Sequence, residues 1–343
     1  MNQDPSSKCV LVTGCAGFIG YHLCLKLLNE GYRVIGLDNL NDYYSVQLKR
    51  DRLKELGIKN SEEIKYNKLY SSDVFEHFQF VKLDLADREE LLNLFKTFSF
   101  SKVFNLAAQA GVRYSLENPF AYADSNIIGF LNLLESMRHH QVRKLIYASS
   151  SSVYGNNQKI PFSELDKVKE PISVYAASKI TNELLAYTYS HLYGIQTIGL
   201  RFFTVYGPWG RPDMAIYLFS KDIMEDKPIK VFNYGNLSRD FTYIDDIIQG
   251  LMQILKKDLP EKAYRIYNIG NSKPVSLMDF IAAVEQAVGK KAKKEMLPMQ
   301  KGDVSTTWAD TTKLQKDFDY KPQTDLQEGV NSFIEWLKEY SEK

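Results

Sequence analysis

Short, almost wholly apolar runs alternate along this chain with longer stretches whose apolar residues recur at helical spacing. Residues 9–12, 33–38, 80–84, 103–107, 144–149 and 197–203 read as strands. Residues 18–29, 88–96, 121–139 and 175–193 read as helices, the first stopped by Gly31. Strands alternating with helices of this length predict βαβ units and a parallel sheet. The near-continuous apolar character of the strands predicts a sheet covered on both faces. The expected fold is therefore α/β, a doubly wound parallel (Rossmann) sheet with a smaller C-terminal substrate-binding lobe.

Two places break the rhythm. Residues 41–73 are rich in charge, tyrosine and Asn/Ser, with a short helix over 45–56, and read as an insertion after the second strand, either a lid or a surface excursion. After Phe203, a segment holding Gly207, Pro208, Gly210 and Pro212 is irregular. Beyond it come a helix over 215–225, a strand over 229–232, a helix over 245–255 and a strand over 265–269. Two last helices cover 276–288 and 325–340. The expected division is a dinucleotide-binding domain over 1–205, joined by elements around 239–270, and a lobe over 206–343 that mainly binds substrate.

Composition narrows the function. Hydrophobic residues are 44% and charged residues 25% of 343, the values of an ordinary globular protein. Lys plus Arg number 43 against 42 for Asp plus Glu, a net charge of +1, so no bulk field draws the chain to nucleic acid or to an anionic membrane. No run of about 20 apolar residues predicts a membrane span. Residues 1–8 are polar, carry Asp4 and predict no signal peptide. Cys9, Cys15 and Cys24 match no zinc spacing and read as free thiols in a reducing, cytoplasmic setting; no metal site is expected.

The sharpest local signal is Gly14-Cys15-Ala16-Gly17-Phe18-Ile19-Gly20, set directly after a strand and before a helix. Such a turn lets backbone approach a pyrophosphate, and the helix N-terminus offers it free N–H groups. Asp38 ends the next strand, where a carboxylate accepts from the adenine-ribose hydroxyls. It repels a 2′-phosphate, and Asn39-Leu40 brings no basic residue to receive one, so NAD is expected over NADP. Asp84, ending the third strand, is a candidate for adenine contacts. Tyr175 and Lys179 stand at i, i+4 on one face of a long helix. An ammonium beside a phenol favours the phenolate and makes the tyrosine a usable base near neutral pH.

These motifs, with Asn105-Leu106-Ala107-Ala108, Ser150-Ser151-Ser152-Val153-Tyr154-Gly155 and Tyr175-Ala176-Ala177-Ser178-Lys179, resemble the extended short-chain dehydrogenase/reductase superfamily, and within it the nucleotide-sugar epimerases. The stretches 207–214 and 239–246 resemble the UDP-glucuronate 4-epimerases. The likeness runs from about residue 8 to 340. It implies NAD as cofactor, a UDP-sugar as substrate and a homodimer formed through the helices 121–139 and 175–193. It implies catalysis by Tyr175, Lys179 and Ser150. It implies NAD contacts from Gly14, Gly17, Phe18, Ile19, Gly20, Asp38, Asn39, Asp84, Leu85, Ala107, Ala108, Asn126, Ser149, Tyr175 and Lys179. Substrate contacts are implied for Ser150, Ser151, Thr204, Arg211, Arg239 and Asp303, the arginines suiting a diphosphate through their planar donor fork.

The implied reaction is inversion at C4 of a UDP-sugar, with UDP-glucuronate and UDP-galacturonate as the expected pair. Epimerases of neutral UDP-hexoses or UDP-N-acetylhexosamines are the alternative; this chain departs from their pattern with Gln300 for an arginine and Thr204 for an asparagine. Related dehydratases and decarboxylases carry a carboxylate where this chain has Ser151-Ser152.

Overall fold

The computed structural model describes residues 9–257, 259–260, 263–300 and 303–342; the reading of residues 1–8 lies outside them. The elements are, in chain order, β1 (Cys9–Thr13), α1 (Phe18–Asn29), β2 (Arg33–Asp38), α2 (Val46–Glu55), β3 (Leu69–Ser71), β4 (Phe78–Lys82), α3 (Arg88–Thr97) and β5 (Lys102–Asn105). Short helices α4 (Tyr114–Glu117) and α5 (Pro119–Tyr122) lead through a π-helical turn, Ala123–Ile128, into α6 (Gly129–His139). Then come β6 (Lys144–Ser150), a 3-10 turn over Ser151–Tyr154, α7 (Val174–Tyr193) and β7 (Gln196–Phe202). The remainder is β8 (Thr204–Tyr206), α8 (Ala215–Met224), β9 (Pro228–Val231), β10 (Ser238–Tyr243), α9 (Ile244–Lys256) and β11 (Tyr264–Ile269). It ends with β12 (Pro274–Ser276), α10 (Leu277–Val288), β13 (Lys293–Met296), α11 (Thr312–Phe318) and α12 (Leu326–Ser341).

The main sheet has eight strands in the order β11-β7-β6-β5-β1-β2-β4-β3. β1 pairs in parallel with both β2 and β5, β2 with β4, and β5 with β6, while β3 runs antiparallel to β4 at one edge. The order therefore reverses at β1, and the loops after β1 and β5 flank the crevice where such sheets bind ligands. Val10, Leu11, Val34, Ile35, Val103 and Phe104 are all fully buried, which is why these strands carry no alternation.

Cα packing divides the chain into two compact units. One takes in the described residues of Met1–Val153 with Pro171–Arg201 and Leu255–Tyr267; the other comprises Tyr154–Glu170, Phe202–Ile254 and Asn268–Lys343. The second unit holds a three-stranded sheet, β12-β10-β8, and a parallel pair, β13-β9. Its own core gathers Ile216, Ile223, Phe280, Val284, Val330 and Phe333 from α8, α10 and α12.

Four expectations need correcting. The strand read at 80–84 is Phe78–Lys82, and Asp84 lies in the loop beyond it. Asp84 Oδ1 accepts from the Ala86 N–H at 2.9 Å, a local turn that ends the strand. The strand read at 103–107 stops at Asn105, because the Ala107 N–H turns to the Thr13 hydroxyl at 3.2 Å instead of a ladder carbonyl. The helix read at 121–139 is interrupted by the π turn. There Asn182 Nδ2 takes the Asn126 carbonyl at 2.6 Å, while the Asn126 side chain clamps the Gln109 peptide groups at 2.8 and 3.0 Å. The strand read at 197–203 ends at Phe202, and Thr204 opens a separate strand, β8, paired with Phe241 of β10.

Candidate active site

The glycine turn is fixed by close approach. Gly14 adopts φ +71°, and its N–H donates to the Leu37 carbonyl at 2.7 Å. A Cβ on Gly14 would lie 2.7 Å from the Ala107 backbone nitrogen, and one on Gly20 would lie 2.0 Å from the Gly14 carbonyl oxygen. The first glycine thus lets the β1 and β5 loops touch, and the third lets α1 pack onto its own turn. Gly17 caps α1 without any side-chain hydrogen bond, so no cap side chain covers the first-turn N–H groups, those of Phe18 and Ile19 among them.

Asp38 is 7% exposed, and its carboxylate accepts from the Ala16 N–H at 3.2 Å and the Leu40 N–H at 2.8 Å. A carboxylate has about four acceptor sites, so two remain for a diol. Asn39 Nδ2 donates to Asp84 Oδ2 at 2.8 Å, joining the loops after β2 and β4. Leu85 is buried beneath them, and its carbonyl takes Asn132 Nδ2 at 2.9 Å. Ala107 and Ala108, half-buried, follow β5.

Tyr175 and Lys179 lie in the first two turns of α7, capped by the Ser173 hydroxyl on the Ala176 N–H. Lys179 Nζ sits 5.9 Å from the Tyr175 ring centroid and donates to the Ala148 carbonyl of β6 at 2.8 Å. Burial presses its ammonium from the ordinary lysine value down to about 8. The Tyr122 ring packs edge-on against Tyr175 at 6.0 Å. Asn126 Nδ2 also donates to the Ser178 hydroxyl at 3.0 Å, and that hydroxyl donates to the Tyr175 carbonyl at 2.8 Å. Asn126 therefore supports the helix turn that carries Tyr175.

The serine run divides. Ser150 ends β6, and its hydroxyl accepts from the Ser152 hydroxyl at 3.0 Å and N–H at 3.2 Å. Ser151 opens the 3-10 turn. Ser149 points elsewhere: its hydroxyl, 2% exposed, donates to Glu183 Oε1 at 2.6 Å. That hydroxyl is engaged inside the unit. Period-two alternation along β6 is the reason.

Glu183 was not singled out from the sequence, yet it anchors this face. Arg201 Nε and Nη2 of β7 donate to its two oxygens at 2.9 and 2.7 Å, both partners being almost fully buried. The signal was present: Glu183 follows Lys179 by four residues on the same helix face, and Arg201 is the one charge in its strand.

The remaining candidates belong to the second unit. Arg211 pairs with Asp213. Arg239 of β10 donates from Nη1 to the Ser305 carbonyl at 3.1 Å, and the Ser238 N–H donates to the same carbonyl at 2.9 Å. Ser305, two residues beyond Asp303, is thereby tied to the strand carrying Arg239, and the Asp303 N–H reaches the Gln300 carbonyl at 3.3 Å. Beside it, buried Asp240 accepts from the N–H groups of Asn271, Ser272 and Ala309 at 2.7–3.0 Å; burial raises its carboxyl to about 6 despite those donors. Among the described residues no group of His, Cys, Asp and Glu could hold a metal, and no described helix is long and apolar enough to cross a membrane.

Residues 10–270 match the model of the NAD dependent epimerase/dehydratase family. The chain belongs to that family. Among its relatives, "Protein CapI" of Staphylococcus aureus is 50% identical, covering 97% of this chain and 99% of its own. The UDP-glucuronate 4-epimerase of Thermodesulfobacterium geofontis is 48% identical over 96% of each. The crystal structure of UDP-glucuronic acid 4-epimerase from Bacillus cereus, in complex with UDP-glucuronic acid and NAD, matches with a TM-score of 0.86. Its identity is 35% over 97% of this chain and 99% of that one.

Proposed function

We propose that this protein interconverts UDP-glucuronate and UDP-galacturonate by inverting C4. The observation that carries the reading is the buried Lys179 beside Tyr175, on the unit whose glycine turn leaves a helix N-terminus uncapped for a diphosphate. The residues fit NAD: the cradle tolerates no Cβ, and Asp38 keeps acceptor capacity for an unphosphorylated ribose. The likeness to UDP-glucuronate 4-epimerases over nearly the whole chain supports the substrate class.

Tyr175 takes the proton of the C4 hydroxyl and returns it at the end of the cycle. Lys179, held by the Ala148 carbonyl, favours the phenolate and would hold the nicotinamide ribose. Ser150 hydrogen-bonds the C4 oxygen. NAD, when bound, supplies a hydride acceptor that later gives the hydride back, so no net redox change results. Between the two transfers the 4-keto sugar presents its other face. That requires a firm grip on the nucleotide, assigned to Arg211, Arg239 and Asp303, and a looser one on the sugar. Ser151 and Thr204 supply hydroxyls to the C6 carboxylate, which has about four acceptor sites and rewards several donors. Hydroxyls re-form bonds in either pose, whereas a bidentate arginine would pin the ring. Dehydration or decarboxylation lacks its acid here, since Ser151 and Ser152 occupy that turn.

The same reading includes a cytoplasmic homodimer that feeds activated uronate to glycan assembly. Leu184, Tyr187 and Leu192 on α7 are 63%, 56% and 60% exposed, an apolar face suited to a second copy. All three cysteines are free and buried, as a reducing compartment allows. Light scattering of the purified protein tests the dimer.

The deciding experiment is kcat/KM for UDP-glucuronate against UDP-glucose and UDP-N-acetylglucosamine. The uronate is expected to win. Thr204→Ala should lower kcat/KM for the uronate about 10- to 100-fold, the loss of one hydrogen bond to a charged group. A neutral sugar preferred tenfold or more, on the order of 1.4 kcal/mol, overturns the carboxylate assignment.

A further inference from the structure

The segment 41–73 was open between a lid and a surface excursion, and its packing supports neither. Leu53, Leu56 and Ile58 are fully buried, as is Arg52, and β3 extends the main sheet beside β4. From this anchored position the segment reaches three separate loops, each following the carboxyl end of a parallel strand. In a doubly wound sheet those ends form the dinucleotide crevice.

The first contact is on the glycine turn. Arg52 Nη1 donates to the Ala16 carbonyl at 2.8 Å and to the Tyr44 hydroxyl at 2.8 Å. The same Ala16–Gly17 peptide has its N–H on the Gly14 carbonyl at 2.9 Å, and the Ala16 N–H is on Asp38. Both peptides flanking Ala16 are thus held, one of them by a residue 36 positions away. The second contact is on the loop after β4. The Tyr66 hydroxyl accepts from the Asp84 N–H at 3.3 Å and donates to Asp87 Oδ2 at 2.9 Å. Asp84 in turn holds Asn39. The third is on the loop after β5. Gly111, at φ +99°, leaves room for the Tyr43 hydroxyl, which would lie 2.3 Å from a Cβ there. The Tyr43 ring packs on Tyr114 at 5.0 Å, Tyr114 on Tyr122 at 6.3 Å, and Tyr122 on Tyr175.

We infer that segment 41–73 is a staple for the cofactor loops, with Arg52 and Tyr66 as positioning residues that set how long NAD stays bound. The inference rests on NAD being the cofactor. Its function follows from the chemistry: a cofactor that is regenerated in each cycle needs no exit, so slow release costs nothing in turnover. Arg52 does further work by charge. Its guanidinium lies against the turn that receives a diphosphate.

The test measures NAD dissociation from the holoenzyme after dilution into NAD-free buffer, for Arg52→Met, Arg52→Lys and Tyr66→Phe. Methionine keeps a straight apolar chain of similar length, lysine keeps a donor, and Tyr66→Phe removes one hydroxyl from a residue 47% exposed. Expected is NAD release about tenfold faster for Arg52→Met and Tyr66→Phe, with Arg52→Lys between them and the unmodified protein. UDP binding, measured by calorimetry, should stay within about twofold, because a local loss at the cofactor loops differs from general loosening. Unchanged NAD release in folded Arg52→Met and Tyr66→Phe overturns the inference, as does UDP binding that weakens in step with NAD release. If Arg52→Met does not fold, Tyr66→Phe decides alone. An unmodified protein that binds no NAD defeats the cofactor reading itself, a result separable from NAD held equally well by every variant.

Discussion

Replacing Glu183 with leucine perturbs the catalytic face from beneath. Glu183 and Arg201 are 4% and 3% exposed, and the carboxylate accepts from two guanidinium N–H groups and from the Ser149 hydroxyl. Leucine removes all three acceptances and leaves a permanent cation in a place water does not reach. Stranding one member of a buried pair costs about 3–5 kcal/mol. With about 2–4 °C of Tm per kcal/mol for a unit of this size, the fall is roughly 6–20 °C. Removing the cation as well, in Glu183→Leu with Arg201→Met, should restore most of that stability, since apolar replacement of a whole buried pair is close to neutral. Activity should not recover with it. Glu183 lies one turn beyond Lys179, and its other partner, Ser149, precedes Ser150; freeing both should cost about 10- to 100-fold in kcat through misplacement alone. Thermal unfolding by circular dichroism gives the stability cycle, and initial rates with saturating NAD give kcat. A single variant that loses less than about 3 °C, or a double variant no more stable than the single, refutes the account of this pair.

Tyr175→Phe should keep its Tm and its bound NAD while turnover falls about 10²-fold or more; near-normal turnover would remove Tyr175 from the role of base. Asp38→Ala should weaken the preference for NAD over NADP, read from the cofactor extracted after exchange, and NADP in the unmodified protein would contradict the assignment. At Glu285, burial opposes ionisation, but hydrogen bonds from Lys294, Lys291 and the Ala292 N–H outweigh it and hold the carboxyl at about 2, below its ordinary value of 4.5. A depressed carboxyl contributes stability that is complete above the unfolded value and fades as pH falls through the folded one. The stability difference between the unmodified protein and Glu285→Gln should therefore be flat above about pH 5 and shrink toward pH 2. A difference that grows on acidification would reverse the sign of this interaction.

The order of local elements was legible because local chemistry decides it. The glycine turn, the stop at Gly31, and the caps Ser45, Ser276 and Asp325 all sit where the residue types place them. Tyr175 with Lys179 needed only the helical repeat. The misplaced boundaries share a cause: at Asp84, Ala107 and Asn126, side chains capture backbone groups that regular structure would have paired. In the second unit β8, β10, β12 and β13 escaped notice, because three- to six-residue strands gain their stability from partners far away in sequence.

The sequence by itself determined the doubly wound order, the glycine turn between β1 and α1, and the placing of Tyr175 and Lys179 on one helix face. These depend on neighbours a few residues apart, or on a periodicity that any single strand or helix displays. Only the tertiary structure decided that Ser149 faces inward to Glu183, that Arg239 holds the Ser305 carbonyl, and that segment 41–73 grips three loops at the strand ends. Each of those joins residues between about 20 and 70 positions apart, where the partner is selected by the packing of whole elements and by the requirement that buried polar groups find one another.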